Sequence, residues 1–479
     1  MDDFATQAVR RLGISSDIIA ASTWSSRHFI FDQAGKVVAF WGPTFVQEQR
    51  ARREACSTEE SDDPANRVQT PASANWKRVA HHNLHIPRQA LRKILFDSLQ
   101  PDTVRWGHDL QAMSKVDGGK IKLDFGNDRI ELADVVIAAD GIFSGVRRQM
   151  DACGNSSRID DGANMTPSAE AREPRLLSSL NYLGLVVVLG VFDSTKFRVC
   201  HERALQVSDG NTRVFMMPFS KTEAMWQLTF RVADEGEAKR LGQRTETLKA
   251  MASELCADWA GPVPNIIEST SLSMMSGYPV YDRDPFTVEE VESRLSLGEW
   301  PLVAMVGDAA HCMSPLKGQG ANQALLDAVE VADSLRDAWQ AEAASILAAV
   351  DSIRLSDRSS ASEKNSRDPA LRTKLIQQHL LDFEKRMIQR TTSKVLGSRK
   401  TVDALHCPNF VEPEYQAARK SIGGAQQLKR VQRLRNNNIS IEAAEEYTEV
   451  SQENQRHGGS TRLDEEAFFA ALSDEDSAL

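Results

Sequence analysis

Along the chain, apolar positions alternate between helical and strand-like rhythms. Ala8, Val9, Leu12 and Ile18 keep helical spacing over residues 6–21, with a break near Gly13. Residues 29–41 alternate around Asp32-Gln33-Ala34-Gly35 and predict a β-hairpin. Leu84-His85-Ile86-Pro87 leads into an amphipathic helix opened by Arg88, with apolar residues at Ala90, Leu91, Ile94 and Leu95. Short strands are expected at 103–106, 120–125 and 129–132, and the apolar run 135–139 reads as a buried strand ending at Asp140-Gly141. Strand patterns dominate 180–232, where Asp209-Gly210-Asn211 supplies a hairpin turn. Residues 235–259 read as one helix and 262–275 as a return toward the sheet. A second buried strand at 301–306 precedes a helix over 321–335 and a long amphipathic helix over 371–395. The polar stretches 47–71, 158–175 and 352–368 read as loops or insertions, and beyond Pro413 only 425–434 and 464–472 keep short helical patterns.

Hydrophobic residues form 41% of the 479, enough for the cores of two or three domains. A net charge of −10, with no basic cluster interleaved with aromatics, disfavours nucleic-acid binding. Cys56, Cys153, Cys200, Cys256, Cys312 and Cys407 are scattered, with no C-x-x-C pair, so neither a disulfide framework nor a zinc site is indicated. The histidines, His81-His82 included, lack metal-ligand spacing, and no metal is expected. Met1-Asp2-Asp3-Phe4 lacks the basic and apolar regions of a secretory signal, and the longest apolar stretch, 180–192, is too short to span a bilayer. The expectation is a soluble, cytoplasmic protein, although lost N-terminal sequence could have carried an address.

The chemistry concentrates in Gly307-Asp308-Ala309-Ala310-His311, followed by Pro315 and Gly318-Gln319-Gly320-Ala321-Asn322. A buried strand, a glycine turn and a helix N-terminus in this order suit a phosphorylated cofactor. Glycine lets backbone approach a ligand, and the first-turn N–H groups and the helix dipole favour an anion. Asp308, at the carboxyl end of the strand, is placed to accept hydrogen bonds from a ribityl or ribose hydroxyl. The whole string resembles the second flavin-binding motif of the FAD-dependent monooxygenases of the para-hydroxybenzoate hydroxylase type, with the tetracycline- and salicylate-hydroxylase-like branches most similar.

Other segments fit the same resemblance in order. Asp140-Gly141, before Ser144-Gly145-Val146-Arg147-Arg148, resembles the family's middle motif near the flavin pyrophosphate, although alone it is a common turn dipeptide. Arg88 matches the arginine that reaches the cofactor's phosphate or ribityl side; the alternative is a solvated helix arginine, as Arg92 is. Tyr281-Asp282-Arg283-Asp284-Pro285 matches a segment of the tetracycline-hydroxylase branch that walls the flavin, or forms a surface turn. His311 reads as a hydrogen-bonded structural residue, and Cys312 as a small buried thiol. Apolar positions in 186–192 and 215–219, with Trp226 and Phe230, either line an aromatic substrate pocket or belong to the core.

The resemblance runs from about residue 6 to about residue 410. The family's opening strand and G-x-G-x-x-G turn have no match in the sequence, as in an incomplete gene model or a degenerate paralogue. It implies an α/β fold: a Rossmann-like FAD-binding domain (1–23, 84–157 and 284–345) interleaved with a mixed β-sheet substrate domain (24–83 and 176–283). A C-terminal helical segment (346–412) and a charged tail (413–479) follow. It further implies FAD as cofactor, NAD(P)H and O2 as co-substrates, and hydroxylation of an aromatic or polycyclic small molecule through a C4a-hydroperoxyflavin, with no catalytic acid or base assigned. The cofactor residues are Arg88, Asp140, Gly141, Gly307, Asp308, Pro315, Gly318, Gln319, Gly320, Ala321 and Asn322. The competing expectation is a non-catalytic remnant acting as a binding protein. None of the eight tryptophans forms the W-x-W element of a flavin halogenase.

Overall fold

The computed structural model describes residues 3–42, 83–116, 119–156, 179–296, 298, 300–355, 369–419, 424–436 and 440–441. The expected loops 47–71 and 158–175, most of 352–368, and the pattern at 464–472 lie outside the described residues.

Helices Asp3–Arg11 and Ser15–Ala21 flank Gly13, whose φ of 74° makes the anticipated break. Strands β1 (Thr23–Ser25), β2 (Arg27–Asp32) and β3 (Val37–Trp41) follow, and then β4 (Asn83–His85), which pairs antiparallel with β1. After the helix Arg88–Asp97 come β5 (Ala112–Lys115), β6 (Ile121–Asp124) and β7 (Ile130–Ala133), a three-stranded antiparallel sheet. The strand expected at 103–106 is absent and β5 takes its place. Trp106 packs instead beside Phe96, with ring centroids 5.9 Å apart, and under the Arg92 guanidinium at 5.6 Å.

β8 (Val136–Ala138) pairs in parallel with β14 (Val303–Met305). Between them in sequence lie β9 (Asn181–Asp193), β10 (Arg203–Ser208), β11 (Arg213–Pro218), β12 (Glu223–Arg231) and β13 (Met275–Asp282). These join β2 and β3 in a seven-stranded sheet of order β13-β9-β12-β11-β10-β2-β3, in which only β10 and β2 pair in parallel.

Side chains alternate across this sheet, so its two faces do different work. One carries Val186, Val188, Leu205, Val214, Met216, Trp226, Leu228 and Phe230 into a core with the helices Glu235–Gly242, Thr245–Leu255 and Val263–Ser269. Gly190 leaves room for the Trp226 ring, whose Nε1 donates to Thr270 Oγ1 at 3.0 Å. The helix expected over 235–259 is thus two helices. They part at Gly242, where an added Cβ would stand 3.3 Å from the Gly277 carbonyl. The segment 262–275 is helical first, because Pro264 sits in the opening turn and Val263, Ile266 and Ile267 bury against the sheet.

The opposite face meets the long helix Pro369–Leu405 and the turn Pro315–Lys317. That helix also packs, through Ile376, Leu380, Phe383 and Met387, on the parallel pair β8–β14. It therefore spans both sheets.

Candidate functional site

Because β8 and β14 are parallel, Asp140-Gly141 and Gly307-Asp308 emerge at the same end of adjacent strands. This is the end at which open α/β sheets bind ligands. Gly141 has φ 80° and Gly307 φ 57°, conformations that L side chains rarely adopt. Asp140 Oδ2 accepts from the Val146 N–H at 3.1 Å and so caps the helix Gly145–Ser156. Arg147, on that helix and 1% exposed, donates to the Ala309 carbonyl at 2.8 Å and lies 4.2 Å over the Phe286 ring. The middle and second motifs are stapled together through this buried arginine.

The Gly307 turn is held from below. Asp327, fully buried on the helix Gly320–Leu355, accepts from the Gly307 N–H at 2.8 Å and lies 2.7 Å from His311 Nε2. Arg390, on the helix Pro369–Leu405, donates to Asp327 Oδ1 at 2.8 Å and to Gln323 Oε1 at 2.7 Å. Burial alone would raise the Asp327 carboxyl, but the hydrogen bonds from His311, Arg390 and Gly307 bring it below its ordinary value. His311 is a structural partner here. Cys312 is 1% exposed, and burial pushes its thiol up to about 12.

Asp308 points the other way, with an exposed side chain that makes no hydrogen bond among the described residues. Protein on its remaining sides raises its carboxyl, while His311 and Arg88 pull it back. Arg88, at the start of the helix Arg88–Asp97, is exposed and within electrostatic reach of both Asp308 and Tyr278 of β13. Pro315 opens the 3₁₀ turn Pro315–Lys317, and Gly318, at φ 61°, closes it. Asn322 Nδ2 donates to the Gly318 carbonyl at 3.4 Å. Gln319 Oε1 is buried without a partner, and an added Cβ at Gly320 would stand 3.8 Å from Asp308 Oδ1. Ala321 is exposed in the first turn of the helix Gly320–Leu355. The two halves of the motif therefore face each other across one small cradle.

Leu316 carries the cradle to the sheet, packing against the cluster of Leu185, Val187, Val280 and Val402 on one side and that of Ile30, Val38, Ala39, Leu405 and Phe410, on which Trp41 also packs, on the other. The sheet face beneath it holds Trp41, His28, Phe215, Met217, Met225 and Leu189, all half-buried. His28 lies edge-on to Trp41 at 5.3 Å and to Phe215 at 5.8 Å. Of the residues weighed for a pocket, Leu189 and Phe215 reach this wall, whereas Trp226 and Phe230 point into the helical core. Alternation along each strand separates them.

The segment 281–285 ties the wall to the cradle. Arg283 Nη2 donates to the Ile142 carbonyl at 2.9 Å, and Asp282, fully buried, receives Arg399 Nε at 2.7 Å and Nη2 at 2.9 Å. Arg147 stood in the quoted segment 144–148 without a role assigned to it, and Asp327, Arg390 and Arg399 were not anticipated from the sequence. Their only signal is charge on otherwise amphipathic helices, which ordinarily marks a solvated face.

The proteins this chain is similar to are FAD-binding proteins and monooxygenases. Residues 301–360, which hold β14 and both glycine turns, match the FAD binding domain family. Among its relatives, the chain is 25% identical to monooxygenase cfoF of Aspergillus candidus, over 53% of this chain and 56% of that protein. It is 26% identical to the aurachin C monooxygenase/isomerase of Stigmatella aurantiaca, over 60% of this chain and 63% of that protein. The match thus spans less than two thirds of either relative. Among solved structures, Klebsiella pneumoniae HpxO complexed with FAD and uric acid superposes with a TM-score of 0.54 at 18% identity, covering 89% of this chain and 84% of that one.

Proposed function

We propose that this protein is an NAD(P)H-dependent flavin monooxygenase that hydroxylates an aromatic or heteroaromatic small molecule. The observation that carries the reading is the cradle of Gly307, Asp308, Gly318 and Gly320, tied by Leu316 to the sheet face that bears the half-buried aromatic wall. The residues fit FAD: an unpartnered Gln319 Oε1, an outward carboxylate at Asp308 and the N-terminus of the helix Gly320–Leu355 together suit a cofactor bearing both hydroxyls and phosphates. Bound FAD would supply the redox chemistry, taking a hydride from the nicotinamide and activating O2.

The chain's own residues do the rest. Asp308 accepts from cofactor hydroxyls, and Arg88 supplies positive charge beside it. Asp140 and Arg147 hold the two turns at a fixed separation. Trp41, His28 and Phe215 give a planar ring a surface to lie against and keep water from it. The reading makes no demand for a protein acid or base. Uric acid, the ligand in the HpxO complex, is a planar heteroaromatic of the size such a wall accommodates.

The test is to purify the chain, add FAD, and record visible flavin absorbance and pyridine-nucleotide oxidation with and without aromatic compounds. Retained flavin and substrate-stimulated NADH or NADPH oxidation are expected. A chain that neither retains FAD nor binds it on titration defeats the proposal.

A further inference from the structure

We propose that the basic outer face of the helix Gly424–Asn436 is a docking surface, and that its occupant is the acidic segment 442–449 of the same chain. The inference stands apart from the flavin reading.

The helix is held by its inner face. Gln427, Val431 and Leu434 are buried, and Arg435 Nε donates to the Val37 carbonyl of β3 at 2.7 Å. With 3.6 residues per turn, this burial turns Lys429 and Arg433 away from the sheet and sets Arg430 on the flank. Lys429 is exposed, and neither it nor Arg430 has a hydrogen bond or ion pair among the described residues. Arg433 and Arg435, in the last turn, suit the helix dipole. Lys429 and Arg430 stand in mid-helix, where the dipole does not account for them. Over residues 415–441 six basic side chains meet no acidic one, so the face lacks a local counter-charge.

The chemistry that answers this face follows it in the sequence. Residues 442–479 carry eleven acidic side chains against two basic ones, so that most of the net charge of −10 belongs to them. Glu442, Glu445, Glu446 and Glu449 come first, at the i, i+3, i+4 and i+7 spacing of one helical face. Their point of attachment lies beside the basic helix. Ile441, wholly buried, donates its N–H to the Gly35 carbonyl at 3.2 Å, and Gly35 is two residues from Val37, which holds Arg435. Lys429 is about 9 Å along the helix axis from Arg435, and eight residues at helical rise cover about 12 Å. A segment tethered at Ile441 is thus long enough to meet both Arg433 and Lys429. The tether makes the encounter intramolecular, which offsets the weakness of each exposed ion pair. Docked, the segment neutralises a face that would otherwise attract polyanions.

Hydrogen exchange of the backbone amides 428–435, followed in the full chain, tests the docking. Combining Glu442→Gln, Glu445→Gln, Glu446→Gln and Glu449→Gln should speed this exchange about three- to tenfold. Raising the salt from about 0.1 M to about 1 M, which shortens the Debye length from about 10 Å to about 3 Å, should do the same to the wild type. Lys429→Glu with Arg433→Glu should match the glutamine variant, and adding Glu445→Lys and Glu449→Lys should restore slow exchange. Immobilised heparin, the polyanion probe, should retain the glutamine variant at about 0.1 M salt and let the wild type pass. Amides of β9 and β12, slow throughout, report that the sheet is intact in each variant. Exchange unchanged in the glutamine variant, heparin retention equal in variant and wild type, or no recovery in the charge-swapped variant overturns the proposal. Protection that grows with protein concentration also overturns it, since the face then belongs to the acidic segment of a second copy.

Discussion

Asp308 and Asp327 serve the same turn after β14 from opposite sides. Burial raises the Asp308 carboxyl, which has no hydrogen-bond partner among the described residues, and at Asp327 three donors overcome the same effect. Their substitutions should therefore separate. Under the proposed function Asp308→Ala removes acceptors for cofactor hydroxyls, while it breaks no hydrogen bond among the described residues. FAD affinity should fall about 10- to 150-fold, the equivalent of one charge-assisted hydrogen bond at about 1.5–3 kcal/mol, with unfolding stability nearly unchanged. Asp327→Asn turns an amide donor toward donors on Arg390, His311 and Gly307, and should cost about 3–5 kcal/mol of stability as well as FAD affinity. Flavin titration and denaturant unfolding on both variants check this. An Asp308→Ala chain that binds FAD as the wild type does would remove Asp308 from the site.

The element that sets the spacing of the site is the helix Pro369–Leu405. Its Arg390 grips the turn after β14 through Asp327, and its Arg399 grips the end of β13 through Asp282 and Asp284. Arg399→Gln leaves Asp282 fully buried with a weakened partner, and should lower stability by about 3–5 kcal/mol in denaturant unfolding, since a buried charge loses its compensation. A loss under about 1 kcal/mol would mean that the pair behaves as a surface ion pair. Only part of this helix was legible in the sequence. Its periodic pattern ends at Val395, where Gly397 and Ser398 weaken helix propensity. It nevertheless continues to Leu405, because Val402 and Leu405 bury on the sheet and Gly397 makes room for Lys317, whose Nζ would stand 3.1 Å from an added Cβ. The glycine turns were legible because glycine's freedom is local. Arg390 and Asp327 were not, because a charge on a helix does not reveal which neighbour it meets.

At the scale of the whole molecule, the two sheets and the helix that bridges them hold buried ionisable groups whose titration couples to unfolding. His406, just beyond the helix Pro369–Leu405, lies under the seven-stranded sheet. Its Nδ1 is 2.8 Å from the Val402 carbonyl, which can only accept, so Nδ1 carries the proton and Nε2 accepts from Thr229 Oγ1 at 2.8 Å. Burial first, then Arg213 and Arg231, lower its pKa from 6.5 to about 4, against the Val402 hydrogen bond. The folded form thus resists a proton that the unfolded chain takes up near 6.5. The contribution of His406 is complete above that value and is lost as pH falls through about 4. The shift corresponds to about 3 kcal/mol. His85, hydrogen-bonded to Ser25 across β1 and β4 and likewise lowered to about 4 by burial, acts in the same window. Unfolding free energies of the wild type and His406→Asn, compared from pH 7 to pH 4.5, should converge. The variant starts less stable through the lost hydrogen bonds, but gives up less as acid is added because one proton-uptake step is gone. Parallel curves would mean that His406 titrates in the folded chain as it does in the unfolded one, and that acid opens the molecule elsewhere.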